Sequence, residues 1–269
     1  MDFSKVKLVV TDMDGTLLNP KGEVSSRFLN QFYELKKHNI HFVAASGRQY
    51  QSISDKLHVI KNDISIIAEN GGLMKYNGKE HVLLKLTPAN ILKSLTALRQ
   101  IKDIFIVLCG RKSAYIETKN AEFISRFSEY YSEYAIVEDL TKVENDDFLK
   151  IAVFHYECSE TNIYPYINSL KTDMQVIVSG QNWLDISHVE ANKGYALSKL
   201  QKEFGVTKEE TMVFGDYNND LQMLELAHFS YAMANAHSAV KKIARFETKS
   251  NLEEGVESIL EKLILNRIG

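Results

Sequence analysis

Short apolar runs alternate along the chain with windows in which apolar residues recur every three or four positions. Residues 6–10 are almost continuously apolar, as in a strand that helices cover on both faces. A helix follows, because Phe28, Phe32 and Leu35 fall on one helical face. This alternation is typical of an α/β protein with a parallel sheet. Further strands in this part of the chain are predicted over residues 40–45 and 64–68.

The middle of the chain has a different pattern. Asn77-Gly78 suits a tight turn between two strands, which we predict over residues 73–76 and 82–86. Thr87-Pro88 is a suitable start for a helix that runs to about residue 100. We interpret residues 83–188 as a separate, inserted α+β domain. Its other strands are predicted over residues 104–108, 150–156, 174–178 and 183–186, and its other helices over residues 121–130 and 161–170.

Regular alternation of strand and helix resumes near Lys193. A helix over residues 194–204 is followed by Gly205, a common residue at a helix C-terminus. The sequence therefore predicts an α/β fold, a doubly wound, Rossmann-like parallel sheet made by residues 1–82 and 189–269. Residues 83–188 interrupt it. The remaining predicted elements are a strand over residues 211–214, a helix from Leu221, a strand over residues 230–233 and a helix over residues 251–266.

The composition is that of an ordinary globular protein, with 45% hydrophobic and 25% charged residues in a chain of 269. A net charge of −3 gives no support for nucleic-acid or membrane-surface binding. No apolar run reaches the roughly 18 residues of a membrane helix. Cys109 and Cys158 are too few for a disulfide scaffold. We therefore expect a cytoplasmic protein with no nucleic-acid partner and no membrane association.

Two carboxylates follow the first predicted strand, in Asp12-Met13-Asp14-Gly15-Thr16. Like charges this close raise one pKa or require a cation. A hard divalent ion such as Mg²⁺, which prefers oxygen ligands, meets that requirement. The alternative is an acidic turn that merely ends the strand, because Asp and Gly are common turn residues.

Other polar clusters follow other predicted strands. Gly215-Asp216-Tyr217-Asn218-Asn219-Asp220 supplies further carboxylates for a metal, or alternatively only caps a helix N-terminus. Ser46-Gly47-Arg48 suits a phosphate oxygen, although Ser-Gly is also a routine turn. Lys193 is a counter-ion near these groups or a solvated surface charge. Since ligands bind at the carboxyl ends of parallel strands, these residues are expected to form one site.

Taken together, these motifs resemble the haloacid dehalogenase (HAD) superfamily of phosphohydrolases, specifically the Cof-like branch. The four family motifs occur in order, as Asp12 to Thr16, Ser46 to Arg48, Lys193-Gly194 and Gly215 to Asp220. In this branch a large α/β cap, which selects the substrate, is inserted between the second and third motifs. The resemblance therefore implies a HAD core with an inserted cap at residues 83–188.

The resemblance also implies a role for each matching residue. Asp12 would be the nucleophile that takes the phosphoryl group, and Asp14 the general acid and base. Mg²⁺ would be held by Asp12, by Asp14 through its backbone carbonyl, and by Asp216. The phosphoryl oxygens would be held by Ser46, Gly47, Lys193 and Asn219, with the Met13 amide. Supporting residues would be Thr16, Arg48 and Asp220, and possible substrate contacts Asn70, Gly71, His188 and Glu190.

The expected function is a Mg²⁺-dependent phosphatase of small phosphorylated metabolites, with an aspartyl-phosphate intermediate. The resemblance favours sugar phosphates, hexose phosphates especially, with pyridoxal phosphate and flavin mononucleotide (FMN) as alternative substrates. The alternative functions are a phosphomutase of sugar phosphates and a sugar-phosphate-binding regulator without turnover. We expect a small-molecule phosphate ester as the partner and a monomer or small homo-oligomer.

Overall fold

The computed structural model describes residues 2–268, and within them the strands form two sheets. Before the second sheet come β1 (Leu8–Asp12), α1 (Ser26–Lys37), β2 (His41–Ala45), α2 (Tyr50–Lys56), β3 (Ser65–Ala68), β4 (Leu73–Tyr76) and β5 (Lys79–Val82). The second sheet and its helices comprise α3 (Pro88–Leu98), β6 (Ile104–Gly110), β7 (Ala114–Ile116), α4 (Ala121–Phe127), β8 (Tyr134–Ile136), β9 (Phe148–His155), α5 (Ser159–Asn162), β10 (Met174–Val178) and β11 (Trp183–His188). The remaining elements are α6 (Lys193–Phe204), β12 (Thr211–Gly215), α7 (Leu221–Glu225), β13 (Phe229–Ala232), α8 (Ser238–Ile243), β14 (Phe246–Glu247) and α9 (Gly255–Ile268).

The first sheet has the strand order β14-β13-β12-β1-β2-β3-β4-β5. The strands from β14 to β3 are parallel, and the hairpin of β4 and β5 is antiparallel at one edge. Strands β2 and β3 follow on one side of β1, and strands β12 and β13 follow on its other side. The predicted α/β class with a doubly wound parallel sheet is therefore confirmed.

The central strand β1 is buried on both faces, as its apolar sequence predicts. Leu8 and Val10 pack into the core cluster that contains α6 and α7, whereas Val9 packs into the cluster that contains α1 and α9. The one charged residue of this strand, Asp12, lies at its carboxyl end. This places the reactive sequence at the edge where the parallel strands finish.

The second sheet has the order β10-β11-β9-β6-β7-β8 and is antiparallel except between β7 and β8. Helix α3 and a 3₁₀ helix at Tyr164–Leu170 cover one face, and α4 covers part of the other. The rest of that other face lies against the carboxyl edge of the first sheet, where Lys150 on β9 contacts Gly47. The two sheets therefore enclose a common space.

Several local predictions need correction. Strand β5 begins directly after the Asn77-Gly78 turn, because Lys79 pairs with Tyr76. The helix predicted over residues 121–130 ends at Phe127, the last residue of its buried face. Strands β7, β8 and β14 were not predicted, since two or three residues are too few for a periodic signal. No helix within residues 2–268 is long and apolar enough to span a membrane.

Candidate active site

A cavity of about 330 Å³ lies between the two sheets. The first sheet lines it with residues at or just after the ends of β1, β2 and β12, among them Asp12, Ser46 and Asp216. The second sheet lines it with residues of β9 and β11 and of the loop between β10 and β11. The predicted strand-end residues thus meet at one place, and the inserted segment covers them.

Lys193 is the central positive charge of the site. It begins α6 and is fully buried, and its Nζ lies 2.5 Å from Oδ1 of Asp12 and 2.7 Å from Oδ1 of Asp220. Burial alone would lower the pKa of Lys193, but the two carboxylates more than offset it and raise the pKa. Lys193 is therefore a protonated counter-ion, not a solvated surface charge.

The site holds more negative charge than Lys193 can neutralise. Carboxylate oxygens of Asp12, Asp216 and Asp220 all lie within 4.8 Å of one another. Burial, opposed by Lys193 and reinforced by the neighbouring carboxylates, raises the pKa of Asp12 well above its usual range. Burial and Asp220 raise the pKa of Asp216 to about 7. This crowding is the condition that a hard divalent cation relieves.

The three carboxylates differ in how many of their oxygens are engaged. Oδ1 of Asp220 accepts from Lys193, and its Oδ2 accepts from the amides of Asp216 and Tyr217. Asp216 uses Oδ1 to accept from Thr16, and its Oδ2 lies against Gly15, where a Cβ would come within 2.3 Å. Asp12 and Asp216 each retain an oxygen that can bind a cation, whereas Asp220 orients the loop.

Asp14 lies beside Asp12 but in a different environment. Its side chain is 42% exposed and receives two hydrogen bonds from Arg48, from Nη2 at 2.6 Å and from Nε at 2.7 Å. The guanidinium of Arg48 is buried and lies 4.3 Å from the ring centroid of Tyr130. Arg48 also donates to the carbonyl of Glu129. Arg48 therefore orients Asp14 and connects it to the inserted segment.

The predicted phosphate-binding residues surround the same point. Ser46 and Gly47 follow β2 and line the cavity, and Asn219 lines it from the loop after β12. Met13 is fully buried directly after the nucleophile candidate. The hydroxyl of Ser46 accepts a hydrogen bond from the amide of Arg48, which fixes this turn.

The residues predicted as possible substrate contacts have other positions. Asn70 is buried behind the cavity, where it accepts a hydrogen bond from Asn219. Gly71 packs on the backbone of Asn192, since a Cβ there would lie 2.2 Å from that carbonyl oxygen. The backbone amide of Glu190 donates a hydrogen bond to Nδ1 of His188 at the end of β11, and neither residue lines the cavity.

Sequence reasoning missed the charged residues that the inserted segment contributes. Lys150 and Asp185 are buried, line the cavity and lie 3.1 Å apart. Lys150 also pairs with the buried Glu69 at 3.2 Å. The available signal was a single charged residue inside an apolar strand, as in Leu149-Lys150-Ile151. The cavity also has an aromatic wall made by Tyr130, Tyr131, Trp183 and Tyr217.

Comparison with known proteins agrees with this geometry. The family model of haloacid dehalogenase-like hydrolases matches residues 9–260. The chain belongs to this family. A phosphatase of Escherichia coli K12, YbjI, named for 5-amino-6-(5-phospho-D-ribitylamino)uracil, is 32% identical over 262 residues, 96% of each chain. A Bacillus subtilis protein named putative phosphatase YxeH is 31% identical over 270 residues, 96% of this chain and 98% of its own.

A solved structure supports the same conclusion for this HAD-like hydrolase. The structure of SMU.1108c from Streptococcus mutans UA159 matches with a TM-score of 0.89 and 29% identity, covering 97% of this chain and 99% of that one. The match spans both sheets, and the curated relatives are named as phosphatases. The predicted class, a phosphoric monoester hydrolase of the HAD superfamily, is confirmed.

Proposed function

We propose that this HAD-like hydrolase is a Mg²⁺-dependent phosphatase that transfers the phosphoryl group of a small metabolite to Asp12 and then to water. The observation that carries the proposal is the arrangement around Asp12. Its carboxylate lines the cavity between the two sheets, next to a buried lysine and two further aspartates. Residues 83–188, built on the second sheet, act as the cap that encloses the substrate.

In the first step an Asp12 oxygen attacks phosphorus, and the bond from phosphorus to the leaving oxygen breaks. The leaving alkoxide takes a proton from Asp14, which must be protonated at this stage and released from part of its contact with Arg48. Lys193, Asn219 and the Gly47 amide hold the phosphoryl oxygens. The balanced result is a phosphorylated Asp12 and a free alcohol.

In the second step water attacks phosphorus, and the bond from phosphorus to the Asp12 oxygen breaks. Asp14 is now a carboxylate, which can accept both hydrogen bonds from Arg48, and it takes the proton from water. Asp12 and Asp216 would hold Mg²⁺, with the Asp14 backbone carbonyl. When bound, the ion offsets negative charge on the carboxylates and on the phosphoryl oxygens.

The substrate is expected to be a monophosphate with an uncharged body. The cationic residues that line the cavity within the described chain are Arg48 and Lys150, and both are paired with carboxylates. A second phosphate therefore finds no free cation, which disfavours the phosphomutase alternative because a mutase needs a bisphosphate primer. The family resemblance puts hexose phosphates first among the monophosphates.

A second substrate class is supported by the aromatic wall. The rings of Tyr130 and Trp183 lie 5.5 Å apart between centroids, and both line the cavity. Aromatic rings stack on planar substrates, such as pyridoxal phosphate, FMN or a phosphorylated ribitylaminouracil. The last compound is the one named for the Escherichia coli relative.

The experiment that tests this function is phosphate release from a metabolite panel with Mg²⁺. The panel contains hexose, pentose and triose phosphates, pyridoxal phosphate, FMN and nucleotides, and each is also tested with Asp12→Asn. Release that disappears in Asp12→Asn supports the phosphatase. Isomer interconversion that requires a bisphosphate primer would favour the mutase, and ligand binding without release or interconversion would favour the regulator.

A further inference from the structure

A chain of buried polar side chains connects the cap to the back of the phosphate-binding residues. Oδ2 of Asp185 accepts a hydrogen bond from Nδ2 of Asn70 at 2.5 Å. Oδ1 of Asn70 in turn accepts one from Nδ2 of Asn219 at 3.0 Å. All three residues are buried, at 3–6% relative exposure. The chain thus runs from strand β11 of the cap, through the loop after β3, to the loop after β12.

Asp185, at the cap end, determines the order of donors and acceptors in this series of hydrogen bonds. An ionised carboxylate accepts hydrogen bonds but donates none. Asp185 therefore requires the NH₂ end of Asn70 on its side, which leaves the oxygen of Asn70 facing Asn219. That oxygen in turn requires the NH₂ end of Asn219. One N–H of Asn219 is used there, and the second remains for a phosphoryl oxygen.

Lys150 forms an ion pair with Asp185, the first member of this series of hydrogen bonds. Its Nζ is 3.1 Å from Oδ1 of Asp185 and donates to the carbonyl of Gly47 at 2.7 Å. The same Asn70 side chain packs on Gly47, where a Cβ would come within 3.0 Å of Oδ1 of Asn70. The cap side chains therefore contact both the loop after β2 and the amide that faces Asn219.

The backbone at Asn70 adopts a conformation that serves this contact. Asn70 has a φ of 52° and the preceding Glu69 a φ of 51°, a left-handed geometry that L-residues seldom adopt. The amides of Glu69 and Asn70 donate to the carbonyls of Arg48 and Ser46. The turn after β3 is thus tied to the turn after β2, and the Asn70 side chain is held between Asp185 and Asn219.

We propose that Asp185, paired with Lys150, is a positioning residue that sets the orientation of the Asn219 amide through Asn70. The inference rests on the proposed phosphatase function, in which Asn219 holds the transferred phosphoryl group. Asp185 carries the same sign of charge as a phosphate, which disfavours direct contact between them. Because Asp185 and Lys150 belong to the cap, the phosphoryl group is held correctly only when the cap occupies this position.

The test exchanges the donor and acceptor groups without changing side-chain volume. In Asp185→Asn the new amide can either accept a hydrogen bond from Asn70 or donate one to it. The orientation of the Asn70 and Asn219 amides is then no longer fixed. In Asn70→Asp two carboxylates face each other. We expect each single variant to lower kcat/KM about 10-fold or more, for p-nitrophenyl phosphate as well as for the best metabolite, as loss of a supporting hydrogen bond does elsewhere.

The double variant Asp185→Asn with Asn70→Asp is the decisive measurement. The amide at position 185 can donate to a carboxylate at position 70, which also accepts from Asn219. Lys150 retains Glu69 as a partner at 3.2 Å. We expect the double variant to recover most of the activity that either single variant loses. If Asp185 and Asn70 mattered only for packing, the double variant would not recover activity.

Coupling to Asn219 provides an independent readout. In an Asn219→Ala background, Asp185→Asn should cause no further loss, because the group that it orients is gone. Asn70→Gly, which tolerates a φ of 52°, breaks the same chain and serves if Asp185→Asn fails to fold. Asp173→Asn, an exposed carboxylate of the cap that pairs with Lys93, is the matched control with unchanged activity.

Two outcomes would overturn the inference. The first is a wild-type kcat/KM for Asp185→Asn. The second is additivity, in which the activity losses of the single substitutions add up in the double variant and in the Asn219→Ala background. Both would leave the phosphatase function intact, since the wild-type enzyme would still release phosphate. A wild-type protein that releases no phosphate from any ester would overturn the proposed function, and this inference with it.

Discussion

Arg48 holds the carboxylate of Asp14 through two hydrogen bonds, one to each oxygen, at 2.6 and 2.7 Å. The arginine is buried whereas the aspartate is 42% exposed, so the buried partner determines where the exposed one lies. Arg48 is itself held by Tyr130 and by the carbonyl of Glu129, both from the cap segment. The proposed acid and base group is therefore oriented by contacts that span both parts of the protein.

Removing this contact should affect substrates according to their leaving group. We expect Arg48→Ala to lower kcat/KM for an alkyl phosphate by about 10- to 100-fold, because the leaving alcohol needs a well-placed proton from Asp14. The loss should be smaller for p-nitrophenyl phosphate, whose leaving group departs without a proton. Equal losses for both substrates would show that Arg48 acts on phosphate binding instead.

Asp12→Asn should abolish turnover without unfolding the protein. An amide cannot form the phosphoryl intermediate, and we expect kcat to fall by more than about 1,000-fold. The melting temperature should stay equal or rise, because burial and like charge raise the pKa of Asp12 and Lys193 keeps Asp220 as partner. Asp63→Asn, an exposed matched control, should keep full activity. Near-normal turnover by Asp12→Asn would contradict the nucleophile assignment.

The carboxylate cluster predicts a metal effect that does not depend on an assay of turnover. Mg²⁺ should raise the melting temperature of the wild-type protein, since an ion that binds the folded state stabilises it. Asp216→Asn, which removes an oxygen from the Asp12 and Asp216 pair, should abolish most of this rise. EDTA should also stop turnover and added Mg²⁺ should restore it. Insensitivity to both reagents would exclude the metal proposal.

The positions of these residues could be predicted to the extent that parallel strands fix them. Asp12 ends β1, and Ser46 and Asp216 directly follow β2 and β12. The three strands are parallel in one sheet, and the carboxyl ends of such strands share an edge. The hydrophobic pattern also predicted that β1 is covered on both faces. Local sequence was therefore sufficient for the fold class and for the core side of the site.

The cap side could not be predicted in the same way. Lys150 and Asp185 reach Gly47 and Asn70 only because a separate sheet packs on the first, and that packing depends on side chains far apart in sequence. The pairing of Arg48 with Asp14 likewise joins two residues that sequence analysis named separately. His188 and Glu190, chosen for their place near the junction, lie outside the cavity because β11 runs past it.

The buried Glu69 predicts a pH dependence of stability. Burial, opposed by Lys150 and reinforced by Asp185, raises the pKa of Glu69 from 4.5 to about 7. Between pH 4.5 and 7, Glu69 is protonated in the folded protein but ionised in the unfolded chain. The free energy of unfolding therefore falls as pH rises through this range. The loss is complete above pH 7 and amounts to about 3 kcal/mol at most.

Glu69→Gln removes this titration without changing the size of the side chain. We expect the variant to be more stable than the wild type at pH 8, with a difference that shrinks towards pH 5. Urea unfolding at both pH values measures it, and subtracting the two proteins cancels the titration of other groups. A difference that does not change with pH would show that Glu69 ionises normally in the folded protein.

Trp183 should separate the two substrate classes. Its half-buried ring lines the cavity and packs 5.0 Å from Phe154, so it is held in place as a stacking surface. If the substrate carries a planar ring, Trp183→Ala should lower its kcat/KM about 2- to 10-fold, the range of an aromatic contact. Hexose phosphates should lose much less, and Trp183→Phe should retain most activity on both. A loss shared equally by hexose phosphates and FMN would assign Trp183 to the packing of the cap, and a hexose phosphate would then remain the better proposal.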